Sequence, residues 1–183
     1  MKDINWKAEI LDFLKTLLIS FIIIFVITKF IARPVRVNQN SMYPTVIDQS
    51  VGVTNIFSVE VLHDINRFDI VVVKTDDGKN LIKRVVGLPN ETLSFKNDVL
   101  YINELPIEQP FFDQKYVDEE KEKFGLFTND IQEITLGPDE IFCLGDNRPY
   151  SKDSREYGPF KESQVMGKGI FILYPFNRFG SVD

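Results

Sequence analysis

The chain has 183 residues, with 27 acidic against 21 basic side chains, a formal net charge of -6 and a pI near 4.9. That balance excludes nucleic acid as a partner, since phosphate binding draws on a basic face, and the length suits one globular domain of about 150 residues plus one further segment. One cysteine, Cys143, and one histidine, His63, exclude an internal disulfide, a multi-cysteine cluster and a histidine-rich metal site.

The first predicted element is an apolar helix. Residues 16–28 carry no charge and are dense in Ile, Leu and Phe, about 20 Å of helix at the usual rise. Widening to residues 13–32 gives about 30 Å, the thickness of a hydrocarbon core, with Lys15 and Lys29 reaching toward the two interfaces. The many β-branched residues do not argue for a strand, because in lipid the backbone must bond within itself. A buried helix of a soluble core would be more amphipathic. A cleavable leader needs small residues before its cleavage site, where Phe30 stands. The segment is therefore read as an uncleaved single-span anchor, residues 1–12 as a short tail and residues 33–183 as the functional part. Three lysines (Lys2, Lys7, Lys15) precede the span and Lys29, Arg33 and Arg36 follow it, so charge does not orient it.

Residues 33–38 alternate as an extended strand leading into Asn40-Ser41-Met42-Tyr43-Pro44-Thr45. Residues 51–55 and 57–62 are short strand candidates. Residues 68–74 (FDIVVVK) form a strand, Asp76-Asp77-Gly78-Lys79 a turn, and residues 80–88 (NLIKRVVGL) the returning partner. Residues 92–96 and 99–102 make a second hairpin about Asn97-Asp98. The run 118–123 reads as a solvated loop or short helix without a ligand role. Residues 131–136, 140–144 and 167–174 complete a mostly β chain.

Ser41 needs a base and oxyanion donors before it is more than a turn serine. His63 lies in a polar inter-strand stretch and reads as a surface residue, and Cys143, in Ile141-Phe142-Cys143-Leu144, as a packing residue. The other available base is a lysine, which works only when neutral and therefore desolvated. Alternation places Leu81, Lys83 and Val85 on one face of a strand, so the Lys83 amine emerges among apolar side chains; an edge-strand lysine that blunts aggregation is the competing reading. The polar run 145–155 follows a strand directly, and Asp153 with Arg155 suits a fixed ion pair.

SMYPT, FDIVVV, KRVVGLP and GDNRPYSKDSR, in that order behind an apolar span and ahead of GKGIFILYPFNRFG, resemble the type I bacterial signal peptidase family. The single span and compact insert between Gly87 and Gly145 resemble its Gram-positive-type members. The resemblance implies an antiparallel, barrel-like β domain with a small insert around residues 92–140, held outside the cytoplasm by one membrane helix whose tail is cytoplasmic. It implies Ser41 as nucleophile and Lys83 as general base, with Ser151 orienting the lysine and Asp146, Asp153 and Arg155 bracing the site. The Ser41 N–H would serve the oxyanion hole, with Gln39 standing where some relatives carry a second hydroxyl donor. Asn90 and Phe68 replace glycines usual in the family.

The implied reaction removes signal peptides from secretory preproteins after Ala-X-Ala-like sites, with no metal or cofactor. Val37, Met42, Leu81 and Ile82 are expected to wall shallow pockets for small side chains. Expected partners are preproteins and the lipid bilayer, in proximity to the secretion translocon. The nine residues from Ala32 to Ser41 reach at most about 30 Å, which keeps the nucleophile near the bilayer. Phe111, Phe112 and Phe176 are candidates for the interface, with core packing the first reading of each. Three rivals remain: a silent membrane-anchored homologue that binds secreted chains, a Ser-Lys autoprotease of the SOS-repressor type, and a secreted β domain.

Overall fold

This computed structural model of the protein describes residues 6–182; residues 1–5 of the expected tail lie outside them. Helix α1 covers Trp6–Val26 and runs on as a wider turn over Ile27–Ile31, with no buried side chain in either. The helix thus starts before the apolar window at residue 13. Lys7, Glu9 and Lys15 are good helix formers, and Asp12 pairs with Lys15 at 3.2 Å; charge limits what enters lipid, not what is helical.

Strand β1 (Ala32–Arg36) begins at the next residue, followed by β2 (Val51–Asn55), β3 (Ile70–Lys74) and β4 (Asn80–Gly87). Then come β5 (Thr92–Lys96), β6 (Val99–Ile102), β7 (Leu105–Ile107) and β8 (Ile131–Thr135). The chain closes with β9 (Glu140–Leu144), β10 (Phe160–Lys161), β11 (Val165–Tyr174) and β12 (Gly180–Val182). All pairings are antiparallel. A large curled sheet runs in the order β1-β2-β11-β3-β4-β9-β10, with β12 also on β11, and a four-stranded sheet runs β7-β6-β5-β8. The second sheet is drawn from Thr92–Thr135, within the stretch expected as an insert.

Three apolar clusters hold these layers. Val71, Val73, Leu81, Val85, Ile141 and Cys143 pack on one face of the large sheet. Val37, Met42, Val46, Ile70, Ile170 and Ile172 form a second cluster. Val86, Phe142 and Leu144 join the large sheet to Leu93, Phe95, Leu100 and Ile102 of the small one. The register of β4 and β9 slips between Val85 and Gly87, and at Gly87 a Cβ would stand 2.7 Å from Leu93 and 2.9 Å from Leu136. Only glycine lets the two sheets approach so closely.

Some expectations change. Residues 57–62 are not a strand; Phe57–Glu60 is a one-turn helix, α2. Ile56 and Val59 are both buried three positions apart, while Phe57 is exposed, a helical and not an alternating spacing. Asn55 starts the turn by accepting from the Ser58 N–H. The strand expected over 68–74 begins at Ile70, because Phe68 has φ 73°. Strand β7 was not foreseen: Asn103 and Glu104, φ 49° and 68°, make its tight turn, and glutamate carries no turn signal. The run 118–123 lies in helix α3 (Gln114–Phe124), whose first turn is capped by Asp113. The packing reading suits Phe111 and Phe112, which stack on each other and on Phe68 and Phe127. It fails for Phe176, which is 80% exposed in the turn Phe176–Arg178 that joins β11 to β12.

Candidate active site

Strand β4 positions Lys83. Its register places Lys83 opposite Val71 of β3, and its same-face neighbours Leu81 and Val85 belong to the apolar cluster with Cys143. Lys83 is fully buried, and burial lowers its amine from the ordinary lysine value to about 8, against the opposing pull of Asp153. Its Nζ donates to Ser151 Oγ at 3.1 Å.

Ser151 sits on the loop that follows β9, and the rest of that loop is built to hold it. Arg155 grips Asp153 through two bonds of 2.8 Å and also donates to the carbonyls of Arg148 and Ser151. The Gly145 N–H donates to Asp153 at 3.0 Å. Burial favours a neutral Asp153, but Arg155, the Gly145 N–H and the Ser151 hydroxyl outweigh it and hold the carboxyl below the usual range. Arg148 fastens the loop to the insert, donating to Gly145 O, Thr128 Oγ1 and Gln109 Oε1.

Ser41 stands on a turn closed by the Tyr43 N–H donating to Asn40 O. The Asn147 N–H donates to Ser41 O at 3.0 Å. A Cβ at Gly145 would overlap both Ser41 O and Ser151 Oγ, so glycine alone lets the two serine loops touch. Asp146, expected to brace the site, lies on the Ser41 side: it accepts Arg84 bidentately at 2.9 and 2.8 Å and Thr45 Oγ1 at 2.6 Å. The Arg84 guanidinium also lies 4.0 Å from the Phe111 ring centroid. Ser41 Oγ makes no hydrogen bond to Lys83 among the described residues; the Gly145–Ser151 loop joins the Lys83 amine, through Ser151 Oγ, to the Ser41 backbone carbonyl, through the Asn147 N–H.

A cleft of about 420 Å³ opens beside Ser41, and Val37, Gln39, Met42, Leu81 and Ile82 all line it. It runs between β1, an outer strand of the sheet, and residues 79–82 of β4 and its turn. Pairing of β4 with β9 starts only at Arg84, so both banks offer unpaired backbone. Gln39 is exposed. His63, also exposed, lines a separate hollow with Glu60 and Asp139, and Cys143 is sealed in the core, where burial pushes its thiol up.

Sequence reasoning missed Arg84, Arg148, Asn147, Thr45 and Tyr116. Two adjacent bases in an apolar strand, Lys83-Arg84, were the available signal, since alternation sends them to opposite faces and each then needs its own partner. Tyr116 gave none. The glycine replacements are explained by the backbone: Asn90 and Phe68 both have positive φ, 64° and 73°, tolerable for asparagine and costly for phenylalanine.

The sequence profile described as signal peptidase, peptidase S26, matches residues 10–174. Signal peptidase I S of Bacillus subtilis (strain 168) is 33% identical over 178 residues, covering 97% of this chain and 96% of that protein. Signal peptidase IB of Staphylococcus aureus (strain COL) is 30% identical over 184 residues, covering 94% of each chain. The crystal structure of a signal peptidase I from Enterococcus faecalis V583 superposes with a TM-score of 0.50 at 33% identity, over 57% of this chain and 96% of that one. With matches of this extent in sequence and fold, the chain belongs to the signal peptidase family, peptidase S26.

Proposed function

We propose that the chain is a membrane-anchored serine endopeptidase that removes signal peptides from secretory preproteins with a Ser41–Lys83 dyad. The observation that carries this reading is a lysine amine buried among apolar side chains, lowered to about 8 and aimed by Ser151 beside the Ser41 turn. Neutral Lys83 takes the Ser41 proton as Oγ attacks the scissile carbonyl, then passes it to the departing amine as the C–N bond breaks. Water, deprotonated by the same amine, attacks the acyl-enzyme, and Ser41 leaves with that proton. Ser151 spends the Lys83 N–H and so leaves the nitrogen lone pair for Ser41. The Ser41 N–H and the Gln39 amide face the developing oxyanion.

The preprotein lies extended in the cleft, adding main-chain hydrogen bonds to the open edges of β1 and β4. Val37, Met42, Leu81 and Ile82 form the shallow pockets that accept alternate small side chains of an Ala-X-Ala segment. Residues 13–32 of the apolar helix cross the cell membrane, residues 1–12 stay cytoplasmic, and residues 33–183 act outside, close to the translocon that delivers the substrate. The exposed Phe176 and Phe179 rings suit contact with the bilayer interface.

One observation favours the silent homologue, the open Ser41–Lys83 contact. Such bonds often tighten only when substrate binds. Incubating detergent-solubilised protein with an Ala-X-Ala preprotein and weighing the products decides between them. Cleavage after the motif is expected, with Ser41→Ala and Lys83→Ala inactive though folded and His63→Ala unaffected. The rate of the wild type rises with pH through about 8, where Lys83 loses its proton. No cleavage by wild type, or full activity in Lys83→Ala, refutes the dyad.

A further inference from the structure

Helix α3 belongs to the insert, yet its Tyr116 reaches the turn that carries Ser41. The Tyr116 hydroxyl donates to Asn147 Oδ1 at 2.7 Å, and Asn147 Nδ2 donates to Asn40 O at 2.8 Å. The Tyr116 ring also meets Tyr43 edge-on, with centroids 5.2 Å apart. Burial raises the phenol, with Glu120 adding to the shift, so this hydroxyl keeps its proton and stays a donor. A donor on Oδ1 leaves the Asn147 amide one orientation, Nδ2 toward Asn40.

The consequence falls on the next atom along the chain. Asn40 C=O and Ser41 N–H belong to one peptide, which is not among the two cis bonds, Tyr43-Pro44 and Tyr174-Pro175. In a planar trans peptide the carbonyl and N–H point opposite ways. Holding Asn40 O against Asn147 and the Tyr43 N–H therefore turns the Ser41 N–H away from both, and among the described residues it makes no hydrogen bond. The Asn147 N–H on Ser41 O fixes the following peptide too. If this peptide were free to rotate, the carbonyl could replace the N–H at the oxyanion position.

We propose that Tyr116 is a positioning residue of the oxyanion hole, fixing through Asn147 the Asn40–Ser41 peptide so that the Ser41 N–H faces the cleft. This rests on Ser41 being the nucleophile. It assigns the insert a part in catalysis: α3 locks the donor of a site built on the other sheet.

The test is Tyr116→Phe, which removes one oxygen, with Asn147→Asp, which sets an acceptor against Asn40 O. Steady-state cleavage of an Ala-X-Ala peptide and binding of the matching peptide aldehyde, which forms an oxyanion adduct on a serine, are measured beside melting temperature. Tyr116→Phe is expected to lower kcat about tenfold with KM within about twofold, and to weaken the aldehyde by the same factor, the loss of Asn147→Asp being larger. The pH midpoint stays near that of wild type, since Lys83 is untouched. Wild-type kcat and aldehyde affinity in Tyr116→Phe overturn the proposal. So does a loss confined to KM, or a shifted pH midpoint. If Tyr116→Phe melts early, Asn147→Asp alone carries the kcat and aldehyde comparison, without the pH arm, since its added carboxylate acts on Lys83 by charge. Ser41→Ala run in parallel separates the two claims: activity there defeats the nucleophile assignment, whereas an inactive Ser41→Ala beside a fully active Tyr116→Phe defeats only the role of Tyr116.

Discussion

Lys83 holds a charge-bearing amine in a place that penalises charge. Lowering its value to about 8 from 10.5 costs the folded protein about 3 kcal/mol whenever the amine is protonated. The sign follows from the lowered value: the unfolded chain binds the proton more tightly, so the cost is complete below pH 8 and vanishes as pH rises to about 10.5. Lys83→Met should therefore melt higher than wild type at pH 7, converge with it above pH 10, and cleave nothing, as thermal denaturation and a peptide assay will show. Gly145→Ala should also lose cleavage but with the opposite effect on stability, destabilising by about 1–3 kcal/mol, because its methyl would displace Ser151 or the Ser41 peptide. At this scale much of the constellation was legible: the motifs named Ser41, Lys83, Ser151, Asp153 and Arg155, and the structure gathers them. Tyr116 was not legible, since a tyrosine in a charged helix looks like surface until the fold carries it to Asn147.

Strands β4 and β9 do most of the positioning. Strand β4 shows Lys83 to one apolar cluster and Arg84 to the opposite face, and the loop after β9 answers each, with Ser151 for the lysine and Asp146 for the arginine. The Arg84–Asp146 pair is buried on both sides, so Arg84→Met leaves an uncompensated carboxylate and should destabilise by about 3–5 kcal/mol in denaturant unfolding. Elements with strong alternation, such as β3 and β4, were plain in the sequence. Helix α2 was not, because the valine-rich stretch from Phe57 to Leu62 has strand composition but buries Ile56 and Val59 at helical spacing. Strand β7 escaped because its turn uses Glu104 at positive φ. Composition speaks for average preference, and in both places a local hydrogen bond or turn geometry prevailed.

Across the whole molecule, β1 starts directly after the apolar helix, so if that helix spans a membrane, as proposed, the height of the Ser41 cleft is tied to the bilayer. Ten flexible Gly/Ser residues inserted between Ile31 and Ala32 should leave detergent-phase peptide cleavage intact while slowing processing of a membrane-inserted preprotein in vesicles; equal rates in both assays would detach the site's placement from its function. The β architecture and the apolar helix were foreseeable in outline, whereas the joint of the two sheets at Gly87 depends on a contact that no local pattern announces. The buried amine carries a last consequence at this scale. If the domain acts on the outer face, as proposed, Lys83 meets whatever medium surrounds the cell, and its neutral fraction falls as that medium is acidified below about pH 8. Acidified surroundings should then slow preprotein maturation, as a vesicle assay run over a series of external pH values will show.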